Sequence, residues 1–144
     1  MKTFKTILLI AFFLFSLNSQ AQTKEETISW LQEKLTKYIV PYDTSISNIS
    51  ITVSSCEITF DYTIDGKYKW QSTIPTDEVI FKDNMLYTNG ERIKRKDITE
   101  GTPIRYQKIL YNLKLMEGET DLKARVKKAL DHLATFCPKK KETF

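Results

Sequence analysis

The central part of the chain, from about residue 47 to residue 116, alternates apolar and polar positions with a period of two. This period predicts β-strands that bury one face and expose the other. The clearest strand carries its apolar side chains at Cys56, Ile58, Phe60, Tyr62 and Ile64. The dipeptide Asp65-Gly66 follows, and the alternation resumes at Tyr68. Because Asp-Gly accepts the positive backbone dihedrals of a tight turn, these two segments predict a β-hairpin.

Further strands flank this hairpin. Upstream, apolar residues occupy the odd positions Ile49, Ile51 and Val53, so the change of parity at Ser54-Ser55 predicts a turn or a bulge. Downstream, Pro75 ends the hairpin because it has no amide hydrogen for the ladder. Three short strands are predicted at residues 79–81, 85–87 and 92–94, and a long last strand at residues 104–115. The connections are too short for crossover helices, so we expect about seven strands, mostly antiparallel.

An amphipathic helix is predicted on each side of the strands. Thr23 and Glu26 have the spacing of a capping box, and Pro41 limits the helix that follows them. The apolar stripe of this first helix consists of Ile28, Leu31, Leu35, Tyr38 and Ile39. The stripe of the second helix consists of Leu122, Val126, Ala129, Leu130 and Leu133, and Pro138 stops this helix. The polar face of the first helix mixes both charge signs, which favours packing on the sheet over binding to a membrane surface.

These elements predict one α+β domain over residues 22–138. Its sheet would be a strongly bent antiparallel meander or a partly open barrel, with the two helices on its flanks. The remaining residues 139–144 form a short charged tail.

Residues 1–21 have the organisation of a signal peptide. Lys2 and Lys5 precede an apolar run from Ile7 to Leu17, and Ser19-Gln20-Ala21 places small residues where a signal peptidase cleaves. The alternative is a buried N-terminal helix, which we favour less. The apolar run is too short to act as a stable transmembrane anchor. We therefore expect an exported protein, periplasmic or secreted, with no membrane anchor after cleavage.

Charge and histidine content narrow the classes of function. Loss of Lys2 and Lys5 with the signal peptide would lower the formal net charge from +4 to +2, which gives no reason to expect a nucleic-acid partner. His132 is the single histidine, and its spacing from the two cysteines matches no zinc site. The carboxylates have no pattern that marks a catalytic pair. The sequence predicts no metal site, no cofactor and no catalytic residue.

The two cysteines, Cys56 and Cys137, each lie on the apolar side of a predicted element. In an oxidising compartment a bridge between them would join a strand to the last helix. Closing a loop of this length stabilises a fold by about 4–5 kcal/mol in the chain-entropy model. The alternative is a pair of buried free thiols that act as small hydrophobic residues. Sequence spacing leaves both alternatives open, because it does not place two sulfurs within bonding distance.

The densest cluster of charge after the signal peptide is the basic run of Arg92, Lys94, Arg95 and Lys96. In a strand, Arg92, Lys94 and Lys96 would share one face and form a ridge that binds an anion or a partner. The alternative is an edge strand that its lysines protect from aggregation. We favour the edge strand.

Several segments resemble small exported proteins of flavobacterial type. They are residues 26–31 with Lys34-Leu35, the strand at residues 56–60, Ile74-Pro75, and residues 129–133. The resemblance implies a periplasmic or secreted location and brings no activity with it. In addition, seven antiparallel strands with a C-terminal amphipathic helix are similar to the pleckstrin-homology-like barrel, in which that helix plugs one open end. The N-terminal helix departs from that plan.

Three hypotheses for the function follow. The first is a non-catalytic binding or interaction module of the bacterial cell envelope, whose partner is an envelope protein or an anionic ligand. The second is a small carrier that holds an apolar ligand among the aromatic side chains of its strands. The third is a hydrolase whose site is assembled from scattered residues. We favour the first, because enzyme sites usually combine several titratable groups and this chain has one histidine.

Overall fold

The computed structural model describes residues 23–138. The helices are α1 (Lys24–Tyr38) and α2 (Leu122–Ala134), and a 3₁₀ turn covers Thr76–Glu78. The strands are β1 (Ile39–Pro41), β2 (Ile46–Val53), β3 (Glu57–Ile64), β4 (Tyr68–Pro75), β5 (Ile80–Lys82), β6 (Met85–Tyr87), β7 (Ile93–Asp97), β8 (Arg105–Gln107) and β9 (Ile109–Leu115). The predicted signal peptide and the charged tail lie outside the described residues.

The nine described strands form two antiparallel sheets. One has the order β2-β3-β4-β7-β8 and the other has the order β1-β9-β6-β5. The chain runs as a meander through β2, β3 and β4, crosses to the second sheet for the β5–β6 hairpin, and returns to the first sheet with β7. The predicted α+β class with two flanking helices is confirmed. Among residues 23–138 the strands form two sheets and no closed barrel.

The predicted count of about seven strands is wrong for two physical reasons. The chain leaves α1 directly into β1, which pairs with β9, whereas the sequence pattern gave no strand at this place. The predicted strand at residues 104–115 is also divided at Lys108, whose carbonyl accepts a hydrogen bond from the Thr88 amide at 2.9 Å. The two pieces, β8 and β9, consequently belong to different sheets.

The local signals of the sequence are confirmed at three places. The Thr23 hydroxyl accepts a hydrogen bond from the Glu26 amide at 3.1 Å, and the Glu26 carboxylate accepts one from the Thr23 amide at 2.9 Å, which completes the capping box. Asp65 and Gly66 turn the β3–β4 hairpin with φ angles of 52° and 66°. The parity change before β3 is a tight turn, in which the Ser54 amide donates to the Glu57 carbonyl at 2.9 Å.

The core lies between the two sheets and under the two helices. Its largest fully buried side chains are Phe60, Leu31, Leu35, Ile58, Ile74, Leu86, Ile93, Leu110, Leu113, Leu115, Leu122 and Leu130. The inward positions of β3 are those that the alternation predicts, since Ile58, Phe60 and Tyr62 are all buried. The space between the sheets is thus filled by the protein's own side chains.

A helix side chain covers the outer edge of β2. The Gln32 amide group donates to the carbonyl of Ile51, and its Oε1 atom accepts from the Val53 amide at 2.9 Å. Gln32 therefore satisfies one acceptor and one donor that a neighbouring strand would otherwise satisfy. This arrangement keeps a long edge strand from pairing with another chain.

Glu119 joins the two helices. Its Oε1 atom accepts hydrogen bonds from Lys34 Nζ at 2.7 Å and from the Tyr38 hydroxyl at 3.0 Å, and its Oε2 atom accepts one from the Arg125 guanidinium at 3.1 Å. The hydrogen bond from Lys34 is the main reason that the pKa of Glu119 lies below its ordinary value. The same contact raises the pKa of Lys34. At neutral pH both groups are charged, and the junction is intact.

Substitution of Glu119 tests this junction. Because the pKa of Glu119 is lower in the folded state than the ordinary value of 4.5, its stabilising contribution is full above that value and is lost as the pH falls through the folded pKa. We expect Glu119→Gln to be less stable than the wild type at pH 7, and we expect the difference to shrink below about pH 4.5. Urea unfolding at several pH values measures this, with the exposed Glu100→Gln as the control. A pH-independent difference would contradict the assignment.

Candidate functional site

A disulfide bond between Cys56 and Cys137 connects the start of β3 to the end of α2. The two Cα atoms are 5.4 Å apart and the residues are separated by 81 positions in the sequence. The bridged alternative is therefore the one that the structure contains, and both cysteines are used in it.

The 3₁₀ turn after β4 is fastened to the loop that carries Cys56. The Thr76 amide donates to the Cys56 carbonyl at 3.0 Å, and the Thr76 hydroxyl donates to the Ser55 carbonyl at 2.8 Å. Thr76 is fully buried. The backbone after α2 turns back on itself, since the Cys137 amide donates to the Ala134 carbonyl at 3.1 Å. Three segments that are distant in the sequence are thereby held together around the bridge.

A groove of about 600 Å³ lies beside this bridge. One wall is a cross-strand row on the outer face of the five-stranded sheet, in which Thr73 pairs with Lys94 and Lys94 pairs with Tyr106. The opposite wall is the end of α2 with Cys137 and Pro138. The lining residues are Cys56, Glu57, Thr73, Pro75, Asp77, Glu91, Arg92, Lys94, Tyr106, Ala134, Cys137 and Pro138.

The groove carries charges of both signs on flexible, exposed side chains. Lys94 Nζ lies 4.0 Å from a Glu57 carboxylate oxygen, and Arg92 Nε lies 3.6 Å from a carboxylate oxygen of Glu78. The Lys94–Glu57 pair is about half exposed on both sides, so it is worth about 0–1 kcal/mol, and Lys94 can exchange Glu57 for a group on a ligand at little cost. The Glu78 side chain is only 17% exposed, so the ion pair of Arg92 is the more sheltered of the two.

The basic run is not an edge strand. β7 lies between β4 and β8, so the favoured interpretation of lysines that protect a sheet edge is wrong. The physical reason is that the chain turns after Asp97 and returns as β8, which pairs with the free side of β7. On this side of the sheet the edge strand is β8.

The sheet divides the four basic residues between different places. Arg92 and Lys94 line the groove, and Lys96 is exposed on the same face as Lys94. Arg95 points to the other face, where its guanidinium lies 4.2 Å from the centre of the Trp70 ring. The structure therefore brings Arg92 and Lys94 to the disulfide and separates Arg95 from them.

Arg95 belongs to a half-buried polar cluster on the inner side of the sheet. The Tyr62 hydroxyl and Ser72 Oγ form a buried hydrogen bond of 3.0 Å. Burial raises the pKa of Tyr62, and this rise is partly offset by Ser72 and by the charge of Arg95. The position of Arg95 follows from the alternation, because residue 95 has the same parity as the fully buried Ile93. There its guanidinium makes a cation–π contact with Trp70.

The acidic residues of the groove had no signal in the sequence. Glu57, Asp77 and Glu91 come from three separate segments, and only the closed fold places them around one space. The sequence gave no sign of Tyr106 either, because its strand, β8, has only three residues. His132, the single histidine, packs edge-on against Phe136, with 5.2 Å between the ring centroids.

Within residues 23–138, no group of three or more histidine, cysteine, aspartate or glutamate side chains is arranged to hold a metal ion. In the same part of the chain, neither helix combines the length and the apolar character needed to cross a bilayer.

The double variant Cys56→Ser/Cys137→Ser tests the contribution of the bridge. Loss of the closed loop is expected to lower the free energy of unfolding by about 4–5 kcal/mol, because the unfolded chain regains conformational entropy. Urea unfolding measures this change. Dithiothreitol should destabilise the wild type by a similar amount and leave the double variant unchanged. A wild type that dithiothreitol does not destabilise would contradict the structural role of the bridge.

In comparisons with known proteins, no protein-family model, no curated protein and no solved structure matches this chain.

Proposed function

We propose that this protein is a non-catalytic binding module of the bacterial cell envelope, and that it holds an extended segment of a partner protein in the groove beside the Cys56–Cys137 bridge. The observation that carries this proposal is the combination of charges of both signs with apolar surface in one groove.

The apolar part of the groove suits side chains of a bound polypeptide. The disulfide, Pro75, Ala134 and Pro138 offer surface that gains free energy when water leaves it. Tyr106 stands at the rim with 54% of its surface exposed. An exposed tyrosine contributes a large contact area at low cost in conformational entropy, which is why such residues are frequent anchors at interfaces.

The charges of the groove favour a partner with both signs over a simple anion. Three carboxylates, those of Glu57, Asp77 and Glu91, line the same space as Arg92 and Lys94. A phosphate or sulfate group would meet repulsion from these carboxylates. A polypeptide can place basic side chains near the carboxylates and acidic ones near Arg92 and Lys94, which fixes its register and its direction.

The other two functions find less support. The carboxylates of the groove are exposed, whereas a catalytic acid needs an environment that raises its pKa, usually through burial. The carrier hypothesis needs an internal cavity, but fully buried side chains such as Phe60, Leu86 and Leu110 occupy the space between the sheets. A binding module requires neither a perturbed acid nor an internal cavity.

The location rests on two supports. A disulfide is compatible with an exported protein, since such bonds persist in oxidising compartments. The predicted signal peptide at residues 1–21 points to the same location. The resemblances to flavobacterial exported proteins and to the pleckstrin-homology-like barrel stay predictions. The bacterial origin in this proposal rests on the first of them, and the binding groove depends on neither.

A charge exchange tests the groove without removing its ion pair. In Glu57→Lys/Lys94→Glu the two groups keep opposite charges at the same positions, so we expect the free energy of unfolding to change by less than about 0.5 kcal/mol. The charges offered to a ligand are inverted. We expect the exchange to weaken partner capture by at least about tenfold, because like charges then face each other across the interface.

Capture is measured in the producing cells with a photo-crosslinking amino acid in place of Tyr106. The product is identified by mass spectrometry in the wild-type and the exchanged background. The matched control carries the photo-crosslinking amino acid in place of Lys67, in the turn of the β3–β4 hairpin. It should not capture this partner. Equal capture in both backgrounds, or no protein captured at position 106, would contradict the proposed function.

A further inference from the structure

The outer face of the four-stranded sheet carries apolar side chains that are partly or largely exposed to solvent. The inward positions of this sheet are occupied by buried Leu86, Leu110 and Leu113. Their neighbours point outward, and Ile80 keeps 36% of its surface exposed. Tyr42 and Tyr111, at one end of β1 and in β9, are each 57% exposed. This surface belongs to the four-stranded sheet, whereas the groove lies on the five-stranded one.

Two cross-strand rows form this outer face. In the first row, Ile80 pairs with Tyr87 and Tyr87 pairs with Ile109. The second row runs across all four strands and consists of Lys82, Met85, Lys114 and Val40. An uninterrupted apolar row thus lies beside a row in which two lysines alternate with apolar residues. We call this set of seven residues, together with Tyr42 and Tyr111, the tyrosine–lysine face.

The charge of the tyrosine–lysine face has a single sign. The strands β1, β5, β6 and β9 contain Lys82 and Lys114 and no acidic residue. The acidic residues nearest in the chain all lie beyond strand ends, at Asp43 after β1, Glu78 before β5, Asp83 in the β5–β6 turn and Glu117 after β9. By contrast, the outer face of the five-stranded sheet mixes Glu57 and Asp61 with its lysines.

The tyrosines lie close to this positive charge. The Tyr42 amide donates to the Asn112 carbonyl at 2.9 Å, which extends β1 by one residue and fixes Tyr42 beside β9. Lys114 Nζ is 5.8 Å from the centre of the Tyr42 ring. Tyrosine prefers the boundary between apolar and aqueous phases, because its ring is apolar and its hydroxyl is polar. Lysine reaches from an apolar surface into the aqueous layer with its long stem.

We propose that the tyrosine–lysine face docks on an anionic lipid surface. Charge complementarity selects an anionic occupant, since both charged groups on the strands are lysines. The face is formed by cross-strand rows of one sheet, and a bilayer is an extended counterpart against which a sheet surface can lie. A second copy fits less well, because pairing of this face with itself would bring lysines of the same sign together. Docking in this way is independent of the groove and would hold the module at a membrane.

Sedimentation with large unilamellar vesicles tests this proposal on the chain without the predicted signal peptide. We expect binding to vesicles that contain phosphatidylglycerol and no binding to vesicles of phosphatidylcholine alone. One lysine near an anionic surface contributes about 1 kcal/mol, so Lys82→Gln/Lys114→Gln should weaken binding roughly 30-fold. The matched control is Lys67→Gln/Lys69→Gln, which removes the same charge from the five-stranded sheet. It should change binding less than about twofold, because the change lies away from the docked face.

Two further measurements separate the possible occupants. Ile80→Ser should also weaken vesicle binding, because the apolar row enters the lipid interface. Soluble glycerol phosphate should not compete, which distinguishes a lipid surface from a free phosphate ligand. The proposal is overturned if phosphatidylglycerol vesicles do not bind, or if both lysine pairs weaken binding equally. A dimer seen by light scattering and abolished by Ile80→Ser would also overturn it, because a second copy would then cover this face.

Discussion

The covalent bond between Cys56 and Cys137 is the constraint on which the candidate site depends. It joins two positions separated by 81 residues, and it holds the end of the last helix against the start of the second strand of the five-stranded sheet. The Thr76 contacts to Ser55 and Cys56 add the 3₁₀ turn to the same point. Packing alone would leave the end of a helix free to fray. With the bridge, this end becomes a fixed wall of a groove.

The alternation of a strand explains how one short segment serves both the core and the surface. β7 turns Ile93 and Arg95 inward, where Arg95 lies over Trp70, and turns Lys94 outward into the groove. Because the two uses lie on opposite faces, a surface residue can change without disturbing the core. The charge exchange at Glu57 and Lys94 relies on this separation.

The sequence predicted those features that depend on neighbouring residues. The alternation around Phe60, the Asp65-Gly66 turn and the capping box at Thr23 are local, and each is present in the structure. The break at Lys108 reflects pairing with distant strands, because β8 pairs with β7 and β9 pairs with β6, so the alternation there suggested one strand where two exist. The inner position of β7 likewise depends on where β8 returns. The groove combines residues from several separate segments, and for this reason only Arg92, Lys94 and the two cysteines were found in advance.

Hydrogen–deuterium exchange of the oxidised and the reduced protein tests the central claim, that the bridge holds the groove together. The account predicts that reduction speeds exchange at the amides of Thr76 and Cys137, whose hydrogen bonds lie at the bridge. The centre of the β3–β4 hairpin, around the fully buried Phe60, should keep its protection. Unchanged exchange at Thr76 and Cys137 after reduction would contradict the account, because packing would then suffice to hold the groove.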